Sequence, residues 1–508
     1  APNERVWINP EVCEDCGDCS TQSNCLSIVP VETKLGRKRQ VDQDSCNYSY
    51  DCLKGYCPSF IIVKGKRVSK PLLNIELPEF DKGSNLGTWK FRTGERYNIL
   101  LAGIGGTGII SLSQMLSVAA HIDGMKIVAT DQTGLAQKYG AVTSMLSFGR
   151  DAWGKMYPGT ADLVIGADPQ VSTSADVMRY VGEDTTTLLN SKPSNTGEYI
   201  ENRDWKFDVD KAEELLKEHS KEVHMFNASE YAKKLTGYSL MVNMLMLGYA
   251  YEKGLLPIRE ASMIQAIETN GTMIDANKEA WKIGRHIAIT NSKSLIDREI
   301  SKRHILIHKD FGSQFYHRTT LLKEYQDEKY AQKYKDIVIK VKALDSTLNK
   351  TKLSEAVMKN LYKLMAYKDE YEVARLWDKT LDSFNNDFFE IKGVNFHMSL
   401  LWQRKSKSKT RLPGHTKTLF KYLKHGKKLR GTKFDPLGYS YERKVERKIR
   451  DVYIEKIDEW IHQITHFYAI IDNYDKIVAL ANQPNEIRGY GHVKIDSIRR
   501  CSLFKDIV

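Results

Sequence analysis

Three cysteines in steps of three, Cys13, Cys16 and Cys19, form a spacing suited to one particular chemistry. Thiolates on so tight a loop can wrap three irons of a cubane. The fourth iron then takes a distant cysteine, in two-cluster arrays the one that precedes a proline in the other half-motif. Cys57 is followed by Pro58, so a first 4Fe–4S cluster is expected on Cys13, Cys16, Cys19 and Cys57. A second half-motif keeps the register with one substitution: Cys46, Ser49 and Cys52, with Cys25 as its remote ligand. Three thiolates and a serine would hold a cluster through an oxygen ligand or leave a three-iron centre. The intervals Cys19 to Cys25 and Cys52 to Cys57 are longer than usual, and no proline follows Cys25.

The competing reading is a zinc ribbon. Zinc prefers two pairs of ligands, and a close triplet followed by a Cys-Pro argues against it. Seven of the eight cysteines lie in the first 57 residues, and Cys501 stands alone near the end. Secreted disulfide scaffolds are usually short chains with cysteines throughout. The distribution here suits a metal site in a reducing cytoplasm, with Cys501 an ordinary thiol.

A second pattern, Gly103-x-Gly105-x-x-Gly108 with Gly106 inside it, lies directly after an apparent strand and before an apparent helix. That is the context of a dinucleotide fingerprint, in which backbone amides at the helix start favour phosphate. Asp131, at the end of the next strand, is placed to accept from a ribose hydroxyl. The alternative, a tight strand–helix packing turn with no ligand, stays open.

The elements that must position these residues fall into three parts. Residues 1–85 form the cysteine-rich domain, with an apparent strand at Phe60–Val63 and a turn-rich linker at Leu77–Ser84. In residues 86–290, Asn98–Ala102 reads as a buried strand and Ile109–Ala120 as an apolar helix. Lys126–Thr130 and Asp162–Gly166 look like further parallel strands, so this part is α/β with a parallel sheet. In residues 291–508 strand signals thin out. Leu353–Leu376 and Val445–Ile464 carry apolar residues at helical spacing, as in Val445, Ile449, Val452, Ile457 and Ile461. The fold class is therefore α/β plus α. No internal repeat of about 20–50 residues stands out.

At 508 residues three domains are a reasonable expectation. No apolar run reaches the length of about 18 residues that suggests a bilayer span, Leu240–Ala250 being the nearest. The start at Ala1 has neither an apolar signal core nor an initiator Met, so the chain is expected to be a fragment or a separate subunit. The net charge of +12 is local: Arg404–Lys433 holds twelve Lys and Arg and no acid, leaving 64 bases against 64 acids elsewhere. Such a run is usually a solvated face, though it can also meet phosphates or an acidic partner.

Taken together, these stretches resemble one family over nearly the whole chain. Ile99–Gly108 and Thr133–Lys138 look like the gamma domain of 2-oxoacid:ferredoxin oxidoreductases. The order of parts is similar to the C-terminal portion of the large fused indolepyruvate ferredoxin oxidoreductases. Supporting stretches are Cys13–Cys19, Gln22–Cys25, Gly36–Gln40, Leu364–Tyr371, Leu429–Pro436 and Ile487–Lys494. The resemblance implies a small ferredoxin-like cluster domain, a Rossmann-like gamma domain and a mostly helical C-terminal domain. It implies oxidative decarboxylation of an aryl pyruvate or other 2-oxo acid to an acyl-CoA, with ferredoxin reduced. CoA would be the cosubstrate, and the chain would be a cytoplasmic homodimer binding neither nucleic acid nor membrane. Thiamine diphosphate and Mg would sit in another half of the enzyme, because no Gly-Asp-Gly followed by Asn-Asn occurs here. This chain alone should not turn over substrate.

Within that family the glycine loop is not known to carry NAD. Asp131 therefore falls as a ribose ligand, and the loop would hold CoA phosphates or simply pack. His397 and His492 lie in family-like stretches and are given no role. Two other classes compete: an NAD-linked iron–sulfur reductase using the glycine loop, and a non-enzymatic nucleic-acid-binding protein using the basic run. No known nucleic-acid module surrounds that run.

Overall fold

The computed structural model describes residues 4–67, 77, 80, 96–134, 140–304, 310–380, 384, 388–398, 409–466 and 471–508. Most of the linker Leu77–Ser84, the stretch from Leu135 to Lys138, and residues 404–408 of the basic run lie outside the described residues. They divide into two compact units: Ala1–Val68 with Leu306–Val508, and Ser69–Ile305. The sequence suggests three separate parts; here the cysteine-rich segment and the C-terminal helices share one unit.

The N-terminal segment is built from β1 (Glu4–Ile8), β2 (Ile28–Thr33), β3 (Gly36–Val41) and β4 (Phe60–Arg67). β1 pairs antiparallel with β4 from Glu4↔Lys64 to Ile8↔Phe60, and β2 with β3 in a separate hairpin. β4 is longer than the Phe60–Val63 core that the sequence shows. Its side chains alternate with the period of two that a strand imposes. Phe60 and Ile62 pack with Val6, Ile8, Ile28 and the cysteines, whereas Ile61 and Val63 pack with Trp377, Phe388 and Phe396.

A repeat that the sequence does not show stands out in the backbone. Asp15 and Gly17 of the first cysteine loop have φ of 50° and 82°, and Tyr48 and Tyr50 of the second have 59° and 60°. Each pair sits at the same offset from Cys13 and from Cys46. In each loop a short helical segment follows, Asp18–Ser23 and Asp51–Lys54, carrying Cys19 and Cys52. Left-handed backbone at a non-glycine residue costs about 1–2 kcal/mol. Three such residues at matched places mark loops whose shape is held for a reason other than stability.

The second unit carries a six-stranded sheet of β5 (Tyr97–Ile104), β6 (Ile127–Thr133), β7 (Ala141–Phe148), β8 (Leu163–Gly166), β9 (Thr186–Asn190) and β10 (Glu222–Phe226). The order is β10-β9-β8-β5-β7-β6. β10, β9, β8 and β5 are parallel neighbours. β7 runs antiparallel to both β5 and β6. The expectation that the strand at Lys126–Thr130 extends the parallel sheet is therefore corrected. β7 lies between it and the glycine-loop strand and reverses direction there. β5 is apolar and buried from Asn98 to Ile104, as a strand covered on both faces must be. Helix Ile109–Ile122 buries Ile109, Leu112, Met115, Leu116, Ala119 and Ala120, a stripe at helical spacing. The apolar run Leu240–Ala250 lies largely in the buried helix Val242–Glu252. No helix of the described residues is long and apolar enough to cross a membrane.

The C-terminal residues return to the first unit. They are mostly helical, but β11 (Phe388–Met398) and β12 (Thr410–Leu412) add to β4, giving the sheet order β1-β4-β11-β12. The amphipathic stretch Leu353–Leu376 proves to be two helices, Lys352–Met365 and Glu370–Thr380. The break between them frees Asp369, whose carboxylate accepts the Glu372 amide at 2.8 Å and so caps the second helix. In the long helix Tyr441–His466 the buried stripe is Val445, Ile449, Tyr453, Ile457, Trp460 and Ile464. Two aromatics thus take places that an aliphatic pattern assigns to Val452 and Ile461.

Candidate metal centre

The structure brings the sequence-distant Cys57 to the first cysteine loop. Burial pushes the Cys16 thiol well up, and Cys57, Cys19 and Cys13 push it further. Cys57 is pushed up to about 11, by burial first and then by Cys13. In the second loop Cys52 is pushed up to about 12 by burial and then by Cys25 and Cys46. Ser49 is exposed, and its Oγ accepts the Asp51 amide at 3.5 Å. Cys501 is buried away from both loops and donates to Gln483 Oε1 at 3.5 Å.

The donor set fits a multi-iron cluster. All eight cysteines are thiols rather than disulfides. Four thiolates suit the separate corners of a cubane. An amide already points at one sulfur, Asp15 N–H donating to Cys13 Sγ at 3.4 Å. Ser59 Oγ lies 2.6 Å from Cys57 Sγ. Hydrogen bonds of this type tune cluster potentials.

Residues far along the chain hold the first loop. The Asp15 carboxylate accepts Arg39 Nε at 2.6 Å, Arg37 Nε at 2.8 Å and Arg488 at 2.6 Å. Lys38 Nζ donates to the Cys13 carbonyl at 2.8 Å, and Lys368 Nζ to the same oxygen at 3.2 Å. Lys368 also pairs with Glu14 at 2.6 Å. Burial alone would raise the Glu14 carboxyl, but Lys368 and then Lys38 hold it well below the usual range. The Tyr490 hydroxyl donates to the Val12 carbonyl at 2.5 Å. Gly489 has φ of 99°, and a Cβ there would lie 2.7 Å from Val493 and 3.3 Å from the Cys16 Cβ. Only glycine lets the C-terminal segment pass so close to the loop. His492 rests edge-on against Tyr56 at 5.1 Å, a packing role beside the same loop.

The sequence singled out Gly36–Gln40, Leu364–Tyr371 and Ile487–Lys494 without giving them work. The structure shows that each supplies a clamp on residues 12–15. The signal was present in their clustered Arg and Lys, but their carboxylate and carbonyl partners are remote in sequence.

The glycine loop behaves differently. Gly106 and Gly108 have φ of 86° and 93°, and Gly108 stands at the start of the helix Ile109–Ile122. Gly105 N–H donates to the Gly140 carbonyl at 2.7 Å, and Asn243 Nδ2 donates to the Thr107 carbonyl at 2.8 Å. A Cβ on Gly103 would lie 2.7 Å from Ile109. Asp131 is exposed on β6, two strands away from β5. A ribose acceptor in a dinucleotide fold stands on the strand next to the glycine loop, so this arrangement does not favour Asp131 as one.

Part of the basic run is paired within the unit. Arg411 pairs with Glu4 and Lys424 with Asp378. Arg430 pairs with Asp369 at 2.6 Å and donates to the Tyr325 carbonyl at 2.7 Å. Lys417, Lys421, Lys428 and Lys433 are exposed.

His397 on β11 faces Phe60 in register on one side and Arg411 on the other. Burial first, then Lys409 and Arg411, push it down to about 4. The unfolded chain, with an ordinary histidine near 6.5, binds a proton between those values that the folded chain does not. Stability from this residue is thus complete above about pH 6.5 and is lost as pH falls toward 4. Urea midpoints measured across that window should fall more steeply for the wild type than for His397→Gln.

Comparison with known proteins places these features. Residues 98–287 match the family described as pyruvate ferredoxin/flavodoxin oxidoreductase, and residues 312–505 match a family of unknown function, DUF6537. The first of these matches lies wholly within the second unit. Indolepyruvate oxidoreductase subunit IorB of Methanothermobacter thermautotrophicus is 30% identical over 191 residues, 37% of this chain and 95% of that protein. The subunit of the same name from Archaeoglobus fulgidus is 28% identical over 214 residues, 40% of this chain and all of that protein. The chain belongs to the indolepyruvate oxidoreductase family of 2-oxoacid:ferredoxin oxidoreductases. Among solved structures, pyruvate oxidoreductase subunit PORC of Thermotoga maritima is 22% identical with a TM-score of 0.28, covering 37% of this chain and 95% of that one. A keto/oxoacid ferredoxin oxidoreductase gamma subunit from Geobacter sulfurreducens is 20% identical, also with a TM-score of 0.28, covering 38% of this chain and 99% of that one.

Proposed function

We propose that this chain is the electron-transfer and gamma portion of a 2-oxoacid:ferredoxin oxidoreductase acting on an aryl pyruvate or other 2-oxo acid. The observation that carries the reading is the matched pair of left-handed loops, one gathering Cys13, Cys16 and Cys19 with Cys57, the other Cys46 and Cys52 with Cys25. When bound, iron–sulfur clusters supply one-electron carriers between the carbonyl chemistry and ferredoxin. The chain's own part is to keep those carriers dry and rigid. Val6, Ile8, Phe60 and Ile62 exclude water around the cysteines. Asp15 with its three arginines, and Lys38 and Lys368 on the Cys13 carbonyl, fix the loop so that little reorganisation accompanies each electron.

The decarboxylation belongs to a thiamine-diphosphate- and Mg-binding half outside this sequence, with CoA taking the acyl group. The assembled enzyme is then a cytoplasmic homodimer that hands electrons to ferredoxin. The internal pairing of Arg411, Lys424 and Arg430 argues against nucleic acid as a partner of the basic run.

Anaerobic reconstitution followed by iron counting and EPR tests the reading. About four irons per chain with a cubane signal is expected from the complete site. Uptake of about four more, with a signal that Ser49→Ala alters, would make Ser49 a ligand of the second. A chain that takes up zinc in preference and no iron would overturn the proposal.

A further inference from the structure

Among the described residues of the basic run, Lys409 differs from the exposed lysines in that its ammonium nitrogen is shut off from solvent. It precedes β12, whose Thr410 pairs with Met398 of β11, and β11 in turn sets His397 opposite Phe60. This register brings the Lys409 ammonium to 4.3 Å from the centre of the Phe60 ring, three residues beyond Cys57. The nitrogen is shut off from solvent and has no hydrogen-bond partner among the described residues. A buried ammonium without a counter-charge is unfavourable, and a ring face offsets only part of that cost. An apolar side chain would fill the same space more cheaply.

The groups facing this nitrogen say what it is for. Burial pushes the ammonium down, while Cys57, Cys19, Cys52 and Asp18 favour its charged form. Cys19 and Cys57 belong to the first array and Cys52 to the second. Asp18 is engaged with the Tyr56 amide at 2.9 Å. Phe60 packs in one apolar cluster with Cys13, Cys19, Cys52 and Cys57, so the ammonium over its ring lies against the core that both arrays share.

We propose that Lys409 is a positioning residue for electron transfer, a fixed charge set against the core shared by the two cysteine arrays that raises the reduction potential of the clusters they hold. The inference rests on the cluster reading above. A cluster bound by thiolates is anionic in either oxidation state and gains one further negative charge when an electron enters. No bond forms or breaks, and the step moves one electron and no proton. In a site of low dielectric, a nearby cation favours the more negative, reduced state.

The test is an EPR-monitored redox titration of the full, reconstituted chain, comparing wild type with Lys409→Met, Lys409→Gln and Lys409→Arg at equal iron content. The neutral variants should show a reduced-to-oxidised ratio about tenfold lower at the wild-type midpoint, a downward shift of about 59 mV for a one-electron couple. Lys409→Arg, which keeps the charge, should stay near wild type. Full iron with unchanged potentials in both neutral variants overturns the inference and leaves the cluster reading standing. A wild-type chain that takes up no iron overturns both. If the neutral variants lose iron and Lys409→Arg keeps it, the charge serves cluster binding rather than the potential, and the inference fails. If all three lose iron, Lys409 is a packing residue and the inference fails.

Discussion

Cys57→Ala is expected to cost the reconstituted chain about four irons and to reduce electron delivery to ferredoxin by more than the roughly 10–100-fold seen when an outer partner of a metal ligand is lost. Its effect on the metal-free protein should be small. In that state Cys57 is a protonated thiol, held up to about 11 by burial and then by Cys13, and it packs as a small apolar side chain. Truncating it removes one sulfur and the Ser59 contact at 2.6 Å, worth about 1 kcal/mol. Iron content and urea midpoint therefore separate a ligand from a core residue. The sharper contrast is with Cys52. It is five residues from Cys57 in sequence, but its thiol neighbours are Cys25 and Cys46. Cys52→Ala should leave the first cluster's EPR signal in place, whereas Cys57→Ala should abolish it. The reverse result would mean that the arrays do not exchange their remote ligands.

The proposal of a crossed arrangement comes from cysteine spacing, which is a local signal. So is the strand–turn–helix at Tyr97–Ile122, where an apolar run meets a glycine cluster. What escaped depends on residues far apart. β11 offers only a weak alternation, Val394-Asn395-Phe396-His397-Met398, and becomes a strand because Phe60–Arg67 supplies an edge over 300 residues earlier. The pairing of Arg411, Lys424 and Arg430 needs Glu4, Asp378 and Asp369, none of them inside the basic run. A count of charge does not show which of these residues are paired. The break in Leu353–Leu376 falls at Ala366–Asp369 without glycine or proline. It is set by Lys368 reaching the first cysteine loop and by Arg430 binding Asp369. The loop repeat was hidden because Asp15 and Tyr48, or Gly17 and Tyr50, share a conformation and no side-chain chemistry.

The largest loss of folding stability is expected at Asp15. Its carboxylate is 2% exposed and takes Arg39, itself 1% exposed, together with Arg37 and Arg488. Asp15→Ala would remove the carboxylate that these three guanidiniums share in a site with little water. Removing one partner of a buried ion pair costs about 3–5 kcal/mol. It would also place alanine at φ of 50°, adding about 1–2 kcal/mol. Asp15→Asn should fall between wild type and alanine, because asparagine tolerates the left-handed region and keeps one acceptor oxygen. Chemical denaturation of the iron-free chain measures the series. A shift below about 1 kcal/mol for alanine would show that the arginines find other partners and that the network is not what holds the loop. Arg488 makes the test more specific. It reaches Asp15 across 473 residues of sequence, so Arg488→Met should couple strongly to Asp15→Ala in a double-mutant cycle. An excised 4–67 segment should lack the stability of the full chain, because part of the charge that steadies its first cysteine loop arrives from the other end of the protein.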